Sequence, residues 1–393
     1  MSESIINNER ISAVTFSDDE KARYARHLIM PEVTLEGQRR LKASRVLCIG
    51  AGGLGSPVAL YLASAGVGAL GLVDADRVDL SNLQRQILHG TADVGRPKLQ
   101  SGRDRLFSTN PNVRIELHEC RFEGANAVEM VSSYDLVIDG SDNFPTRYLS
   151  NDVCAFARKP NIYGSVFRFE GQVTVFAPHL GGPCYRCMFP QPPEAGTMPN
   201  CAEAGVLGVL PGIIGMMQAI EAIKLILGKG EPLIGRLLHF DALASKFREF
   251  RLRRDPECPV CGDKPTITEP IDYDAFCNSA KAPASPDKTF SISPQELKDK
   301  LHRREEVNLI DVREPFEHEI AQISGAKLIP LVELPGRFDE IQRDQKVVVF
   351  CHTGVRSARA VQLLREEGFP DVLNLEGGIE AWSHEVDPAV PRY

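Results

Sequence analysis

The chain has 393 residues, and at about 100–200 residues per domain that length predicts two or three domains. With 45 Lys plus Arg against 53 Asp plus Glu the formal net charge is −8, so no positive field gathers nucleic acid or anionic lipid, and neither nucleic acid nor membrane is expected as a partner. Apolar residues at 43% and charged residues at 25% match soluble globular proteins and exclude a disordered, collagen-like or coiled-coil chain.

Residues 1–16 lack the apolar run of a secretory signal, so cytoplasmic residence is expected. The longest uncharged stretch, residues 204–220, is shorter than the roughly 20 residues that span a bilayer and carries Pro211, so it reads as a buried loop leading into a helix. Ten cysteines in such a chain should stay reduced, which points to metal binding or catalysis before disulfides.

Five short β-rich runs, at 45–50, 69–74, 113–118, 136–139 and 161–165, alternate with helical patterns, the signature of a mostly parallel α/β sheet. Residues 172–177 alternate and suit an antiparallel strand, and 213–227 carry an apolar stripe at helical spacing. Gly and Pro accumulate between Cys261 and Phe290, which divides the chain into a domain at 1–270, a linker at 271–288 and a smaller α/β domain at 289–393. Ile271, Tyr273, Ala275 and Phe276 form an apolar patch expected to pack back on the larger domain, leaving the flexible part near 281–286. In the smaller domain, strands at 307–311 and 346–350 and a helix at 355–367 bring Asp311 and Cys351 to strand ends.

Gly50-Ala51-Gly52-Gly53-Leu54-Gly55 follows a strand and opens a helix, the turn that lets phosphate approach a helix N-terminus, and Asp74 ends the next strand where a ribose can bond to it. Alone, this turn is usually read as a dinucleotide oxidoreductase site, with a tight turn that holds no ligand as the alternative. Downstream come Ser81-Asn82-Leu83-Gln84-Arg85-Gln86, Lys98 and Asp142-Asn143. Two cations and a carboxylate suit a triphosphate with Mg²⁺, and no P-loop motif is present.

These motifs, with Arg23-Tyr24-Ala25-Arg26 before them and Gly95-Arg96-Pro97-Lys98 among them, resemble in order the ubiquitin-activating-type adenylyltransferases that act on small sulfur-carrier proteins, over residues 16–261. The resemblance implies a Rossmann-like adenylation domain with ATP contacts from Gly53, Asp74, Ser81, Asn82, Leu83, Gln84, Arg85, Lys98, Asp142 and Asn143. It further implies a homodimer in which Arg26 reaches the phosphates of the neighbouring subunit.

Cys184 with Cys187 and Cys258 with Cys261 are two C-x-x-C pairs, the short chelating bites that tetrahedral Zn²⁺ takes as four thiolates in a structural site. A redox C-x-x-C is the alternative for either pair. In the resembling family the four cysteines hold a structural zinc. Cys201 lies outside both pairs in a loop; a lone cysteine is often an inert small hydrophobe, as expected of Cys48, Cys120 and Cys154. The resemblance instead favours reactivity for Cys201, through a thioester or by resolving a disulfide. Cys277 has no assigned chemistry.

Cys351-His352-Thr353-Gly354-Val355-Arg356 follows a strand and opens a helix, so loop amides and a helix N-terminus favour an anion at the Cys351 sulfur. Rhodanese-type sulfurtransferases and cysteine phosphatases both use such a cradle. Four residues separate Cys351 from Arg356, where the resembling phosphatases use one more, so the shorter loop fits a persulfide. With the runs at 307–314 and 377–382, residues 289–393 resemble the rhodanese family. An inactive rhodanese docking module is the bland alternative.

Together the halves resemble the molybdopterin-synthase adenylyltransferase and sulfurtransferase fusions. That implies ATP, Mg²⁺ and Zn²⁺ as cofactors, a small ubiquitin-like carrier ending in Gly-Gly as partner, and a cysteine desulfurase or thiosulfate as sulfur donor. The alternative is an activating enzyme for a ubiquitin-like protein that works through a Cys201 thioester.

Overall fold

The computed structural model describes residues 5–193, 205–278 and 290–393. Residues 5–192 and 205–277 form one compact unit, and residues from 278 on form the body of a second.

The first unit is an eight-stranded sheet. Its strands are β1 (Arg45–Ile49), β2 (Ala69–Val73), β3 (Arg114–His118), β4 (Leu136–Asp139), β5 (Asn161–Phe167), β6 (Glu170–Phe176), β7 (Arg236–Asp241) and β8 (Lys246–Arg251), in the order β3-β2-β1-β4-β5-β6-β7-β8. The first five pair in parallel, and β6 to β8 run antiparallel. Side chains alternate across a strand, so two apolar faces require apolar residues at every position. β1 does this: Val46 and Cys48 enter one core with Val58, Leu62 and Ile214, whereas Leu47 and Ile49 enter a second with Val131, Leu149 and Val153.

The helix expected at 213–227 begins one turn earlier, so residues 209–212, read from the sequence as the end of a buried loop, belong to the helix Val209–Leu227. Pro211 sits in its first turn, where a missing N–H costs little. This 19-residue helix is long and apolar enough to cross a membrane by length and composition alone. It packs on β5, β6 and the helix Gly55–Ala65, and its Glu221 accepts from Leu233 N at 2.8 Å. The β7–β8 hairpin escaped the sequence reading, because β8 mixes Lys, Arg and Glu with two Phe three residues apart and is exposed along its whole length.

The linker patch packs as its apolar residues suggested. Tyr273 and Cys277 are buried in the second core of this unit, with Ile271 and Phe276 against it. Residues 281–286, expected to be the flexible part, lie outside the described residues.

The second unit has β9 (Ser291–Ile292), β10 (Val307–Asp311), β11 (Lys327–Leu328), β12 (Lys346–Phe350) and β13 (Val372–Leu375) in the parallel order β11-β10-β12-β13-β9. The same alternation splits its core: Val347 and Val349 pack with Ala360 and Leu364 of the helix Val355–Glu366, and Val348 and Phe350 with Ile379 and Trp382 of the helix Gly378–Glu385.

Candidate active sites

In an open parallel sheet, ligands bind beyond the carboxyl ends of the strands where the order reverses. In the first unit β1 lies between β2 and β4, and a cavity of about 870 Å³ opens there, lined by Gly50, Gly53, Asp74, Arg85, Lys98 and Asp142 among others. Its size suits a small-molecule ligand.

The glycine turn is held from both sides. The Ala51 N–H donates to Asp74 Oδ2 at 2.9 Å, and Asp74 Oδ1 accepts the Asp76 N–H at 2.8 Å. On the other side His89 Nε2 lies 3.2 Å from the Ala51 carbonyl and Nδ1 lies 2.9 Å from Ser101 Oγ. A carbonyl only accepts, so Nε2 carries the proton and Nδ1 accepts the serine hydroxyl. Burial pushes the His89 imidazole below its ordinary pKa, consistent with this neutral form. The turn closes tightly: a Cβ on Gly55 would stand 1.9 Å from the Gly50 carbonyl oxygen. Asp74 therefore braces the turn while keeping lone pairs for a ligand hydroxyl.

The two cations converge on the cavity. Arg85 is tethered through Nη1 to the Ser81 carbonyl at 3.0 Å, and the buried Lys98 ammonium donates to the exposed Asp76 carboxylate at 2.8 Å. Ser81 and Asn82 belong to the 3₁₀ turn Leu80–Asn82, whose Asp79 and Asn82 side chains cap it reciprocally. With Leu83 and Gln84 they shape the approach to Arg85 and do not themselves line the cavity. Asp142 and Asn143 line it after β4; Asp142 is exposed, and Asn143 Oδ1 caps the helix Phe144–Phe156 by accepting Thr146 N–H at 2.9 Å. Arg26, exposed on the helix Ala25–Leu28, is not among the residues that line the cavity.

Sequence reasoning passed over several lining groups, among them Asp76, Gln86, Cys120 and Arg147. Gln86 is buried with no hydrogen-bond partner for its Oε1, which leaves an acceptor for a ligand N–H or hydroxyl. Its place inside the Ser81–Gln86 run was the available signal. The half-buried Arg147 lies over the Tyr163 ring at 5.4 Å, a contact that no local pattern encodes.

Away from this cavity the two C-x-x-C pairs meet. Cys184, Cys187, Cys258 and Cys261 hold their sulfurs within 4.8 Å of one another, with neighbouring Sγ–Sγ separations of 3.8, 3.4 and 3.4 Å. A disulfide needs about 2.05 Å, whereas four sulfurs at about 2.3 Å from one tetrahedral ion stand about 3.8 Å apart. The cage fits a metal ion with four thiolate ligands and no open position. Arg186, between Cys184 and Cys187, is buried on Asp152, with Nη2 to Oδ2 at 2.8 Å and Nε to Oδ1 at 2.9 Å.

In the second unit Cys351 is buried at the end of β12, and its sulfur accepts the Gly354 N–H at 3.1 Å and the Ser357 hydroxyl at 3.3 Å. The loop turns inward because its carbonyls are taken elsewhere: Ile379 N donates to Cys351 O at 2.9 Å and Glu380 N to His352 O at 3.1 Å. That approach requires Gly378, whose φ is +60° and whose Cβ would stand 2.4 Å from both carbonyl oxygens. Thr353 and Val355 complete the loop, Gly354 has φ +94° at the start of the helix Val355–Glu366, and Arg356 points its guanidinium at Glu317, with both N–O distances 2.6 Å. Asp311 is sealed at the end of β10 under Arg313, with N–O distances of 2.6 and 2.9 Å, and so serves structure and not chemistry. Glu317 and Tyr393 are the neighbours the sequence left unassigned, and Ser357, which ends the loop run, gains a role as a donor to the sulfur.

The remaining thiols fall into place by burial. It pushes Cys48 up to about 12, Cys277 up to about 11 and Cys154 well above its ordinary value, as inert core positions require. Cys120 instead lies on the cavity wall. Cys201 lies outside the described residues.

Residues 24–260 match the ThiF family, and residues 293–385 match the rhodanese-like domain. The chain is 48% identical over 387 residues to a probable adenylyltransferase/sulfurtransferase MoeZ of Mycobacterium tuberculosis, covering 97% of each chain. It is 44% identical to the adenylyltransferase and sulfurtransferase MOCS3-2 of Zea mays, over 94% of this chain and 80% of that one. A sulfur carrier protein adenylyltransferase of Thermus thermophilus is 53% identical over 266 residues, 67% of this chain and 98% of that one. Among solved structures, Escherichia coli MccB shares the fold with a TM-score of 0.55 at 22% identity, over 65% of this chain and 77% of that one. With glycine turn, cations and cysteine loop in place, the chain belongs to the ThiF family, carries a rhodanese-like domain, and is an ATP-using adenylyltransferase and a sulfurtransferase.

Proposed function

We propose that the first domain adenylates the C-terminal Gly-Gly carboxylate of a small ubiquitin-like sulfur-carrier protein and that Cys351 then delivers sulfur to it. The observation that carries this reading is the pairing, in one chain, of a cation-lined cavity at a sheet switch point with a cysteine whose sulfur sits in a cradle of N–H and O–H donors. The names of the relatives support the carrier as substrate.

A carboxylate is a poor electrophile, so it is activated first. A carrier carboxylate oxygen attacks the α-phosphorus of ATP, a P–O bond forms, the α–β anhydride breaks, and pyrophosphate leaves. Arg85 and Lys98 are placed to offset the charge that develops on the phosphates. Asp142 would hold Mg²⁺, which when bound supplies charge neutralisation to the phosphate oxygens. Arg26 acts across a homodimer; its exposure and the neighbouring Ile29 and Met30, 72% and 44% exposed, support an interface on that face.

In the second step the terminal sulfur of a Cys351 persulfide attacks the acyl carbon. A C–S bond forms, the C–O bond to AMP breaks, and the Gly354 N–H and Ser357 hydroxyl steady the sulfur anion. The product is an acyl disulfide. Attack on Cys351 Sγ by a thiol, for which Cys201 is the candidate, releases the thiocarboxylate and leaves a disulfide that an external thiol reductant reopens. The four-cysteine cage would hold Zn²⁺ as a structural clamp joining the loop at 184–187 to that at 258–261.

Cys351→Ala separates the steps. It should retain carrier-dependent exchange of pyrophosphate into ATP and form no thiocarboxylate by mass spectrometry; loss of both activities in a folded variant would refute the division of labour.

A further inference from the structure

Residues 271–278 fall between the two family matches, which end at 260 and begin at 293. Yet Ile271, Asp272, Tyr273 and Asp274 line the same cavity as Gly53, Asp74 and Lys98. Chain that neither domain family assigns is therefore part of the wall of the adenylation site.

The segment is fixed from beneath. The Tyr273 hydroxyl donates to Asp152 Oδ2 at 3.0 Å. Phe276 packs edge-on to Tyr148 with ring centres 5.1 Å apart and lies 4.6 Å from the Arg186 guanidinium. Asp152 and Arg186 are fully buried as an ion pair, and Arg186 stands between two cysteines of the metal-type cage. The anchor is thus rigid and specific, and a segment that left it would strip a hydrogen bond from a buried carboxylate.

A ligand that touches residues 271–274 can do so only while they are docked, so it must favour the docked state, and docking must favour the ligand by the same factor. We propose that residues 271–274 are a nucleotide-binding wall of the adenylation cavity, positioned by Tyr273, and that nucleotide occupancy and docking of this segment reinforce each other. The inference rests on reading the cavity as the ATP site.

The test uses the full chain with Mg²⁺ and α,β-methylene ATP, following amide hydrogen exchange together with calorimetric affinity. Wild type should bind the analogue and exchange several-fold more slowly at residues 271–278 when it is bound. Tyr273→Phe, which keeps the ring and removes the hydroxyl, should weaken the analogue roughly tenfold and raise KM for ATP by more than it lowers kcat. Tyr273→Ala should do so more strongly, and if it fails to fold Tyr273→Phe decides. Unchanged exchange in a wild type that binds the analogue, with Tyr273→Phe affinity within about twofold, overturns the inference while leaving the ATP reading intact. No binding by wild type overturns both.

Discussion

Glu317 and Arg356 form two parallel hydrogen bonds of 2.6 Å each between a buried carboxylate and the guanidinium that ends the cysteine loop. Burial, the largest single influence, would raise the Glu317 carboxyl, but the Arg356 pair, the Glu314 N–H and the Arg313 charge together outweigh it and hold the group below its ordinary range. Planar, bidentate pairing fixes orientation as well as distance. The Tyr393 hydroxyl, which accepts from Arg313 at 2.6 Å and meets Glu317 at 3.2 Å, extends the network, and the Tyr393 ring stacks on His352 at 4.5 Å. Glu317 thereby positions Arg356 and the loop without touching sulfur. Glu317→Gln loses the charge-assisted pair, about 2–3 kcal/mol, and should lower thiocarboxylate formation roughly tenfold or more. Adenylation, measured by pyrophosphate exchange, should remain at the wild-type level; an equal loss in both assays would reject a local role.

Gly378 makes a sharper test of the loop's architecture. At φ +60° an alanine is strained by about 1–3 kcal/mol, and its Cβ meets two backbone oxygens at 2.4 Å that cannot rotate away. Gly378→Ala should destabilise the sulfurtransferase domain by at least about 2 kcal/mol and cost the persulfide even where the domain still folds. Cyanide-releasable sulfur on Cys351 measures the second effect. A variant with wild-type stability and sulfur loading would mean that the carbonyls of Cys351 and His352 need not be held by the helix Gly378–Glu385.

Much of this arrangement could be read from the chain because its physics is local. A glycine turn between strand and helix, two short thiolate bites and a cysteine at a strand end each declare themselves within a few residues. What stayed hidden depends on partners far apart in sequence: His89 on Ala51, Arg186 and Tyr273 on Asp152, Glu317 on Arg356. Each is a single polar residue whose meaning appears only once the sheet order brings it against its partner. The same holds for β8, whose mixed pattern satisfies no strand template because neither face is buried.

Asp142 is one of the exposed carboxylates that line the adenylation cavity, and the proposed function gives it to Mg²⁺. Asp142→Ala should reduce pyrophosphate exchange by about two orders of magnitude or more, since the phosphate charge would lose its divalent counterion. Raised Mg²⁺ should recover part of the rate in Asp142→Asn. Exchange near wild type in Asp142→Ala would reassign the metal to another carboxylate of the cavity.

The cysteine cage should hold one Zn²⁺ per chain in reduced protein, detected by elemental analysis. Cys258→Ser should release it and lower thermal stability, because three remaining thiolates, with neighbouring sulfurs 3.8 and 3.4 Å apart and Cys184 buried, would be left crowded without their ion. The loss should spread to the Arg186–Asp152–Tyr273 anchor, so proteolysis near residue 277 should accelerate. Metal content near zero in wild type would remove the cage from the account.

His89 supplies a pH test of the glycine turn. Its imidazole is pushed below the ordinary value by burial, and the neutral ring both donates to Ala51 O and accepts from Ser101. Unfolded histidine titrates near 6.5, so between the lower folded value and about 6.5 the unfolded chain binds more protons than the folded one, and stability rises with pH across that window. The contribution is complete above about 6.5 and is lost as the pH falls towards the folded value. Protonation also removes the acceptor for Ser101 and loosens the turn that faces the phosphates. ATP affinity should therefore fall as the pH drops below about 6.5 towards the lowered folded value, and His89→Gln should flatten that profile while binding less tightly at pH 7.5. The check is a calorimetric affinity series with wild type and variant side by side, and parallel pH profiles for the two would assign the dependence to a different group.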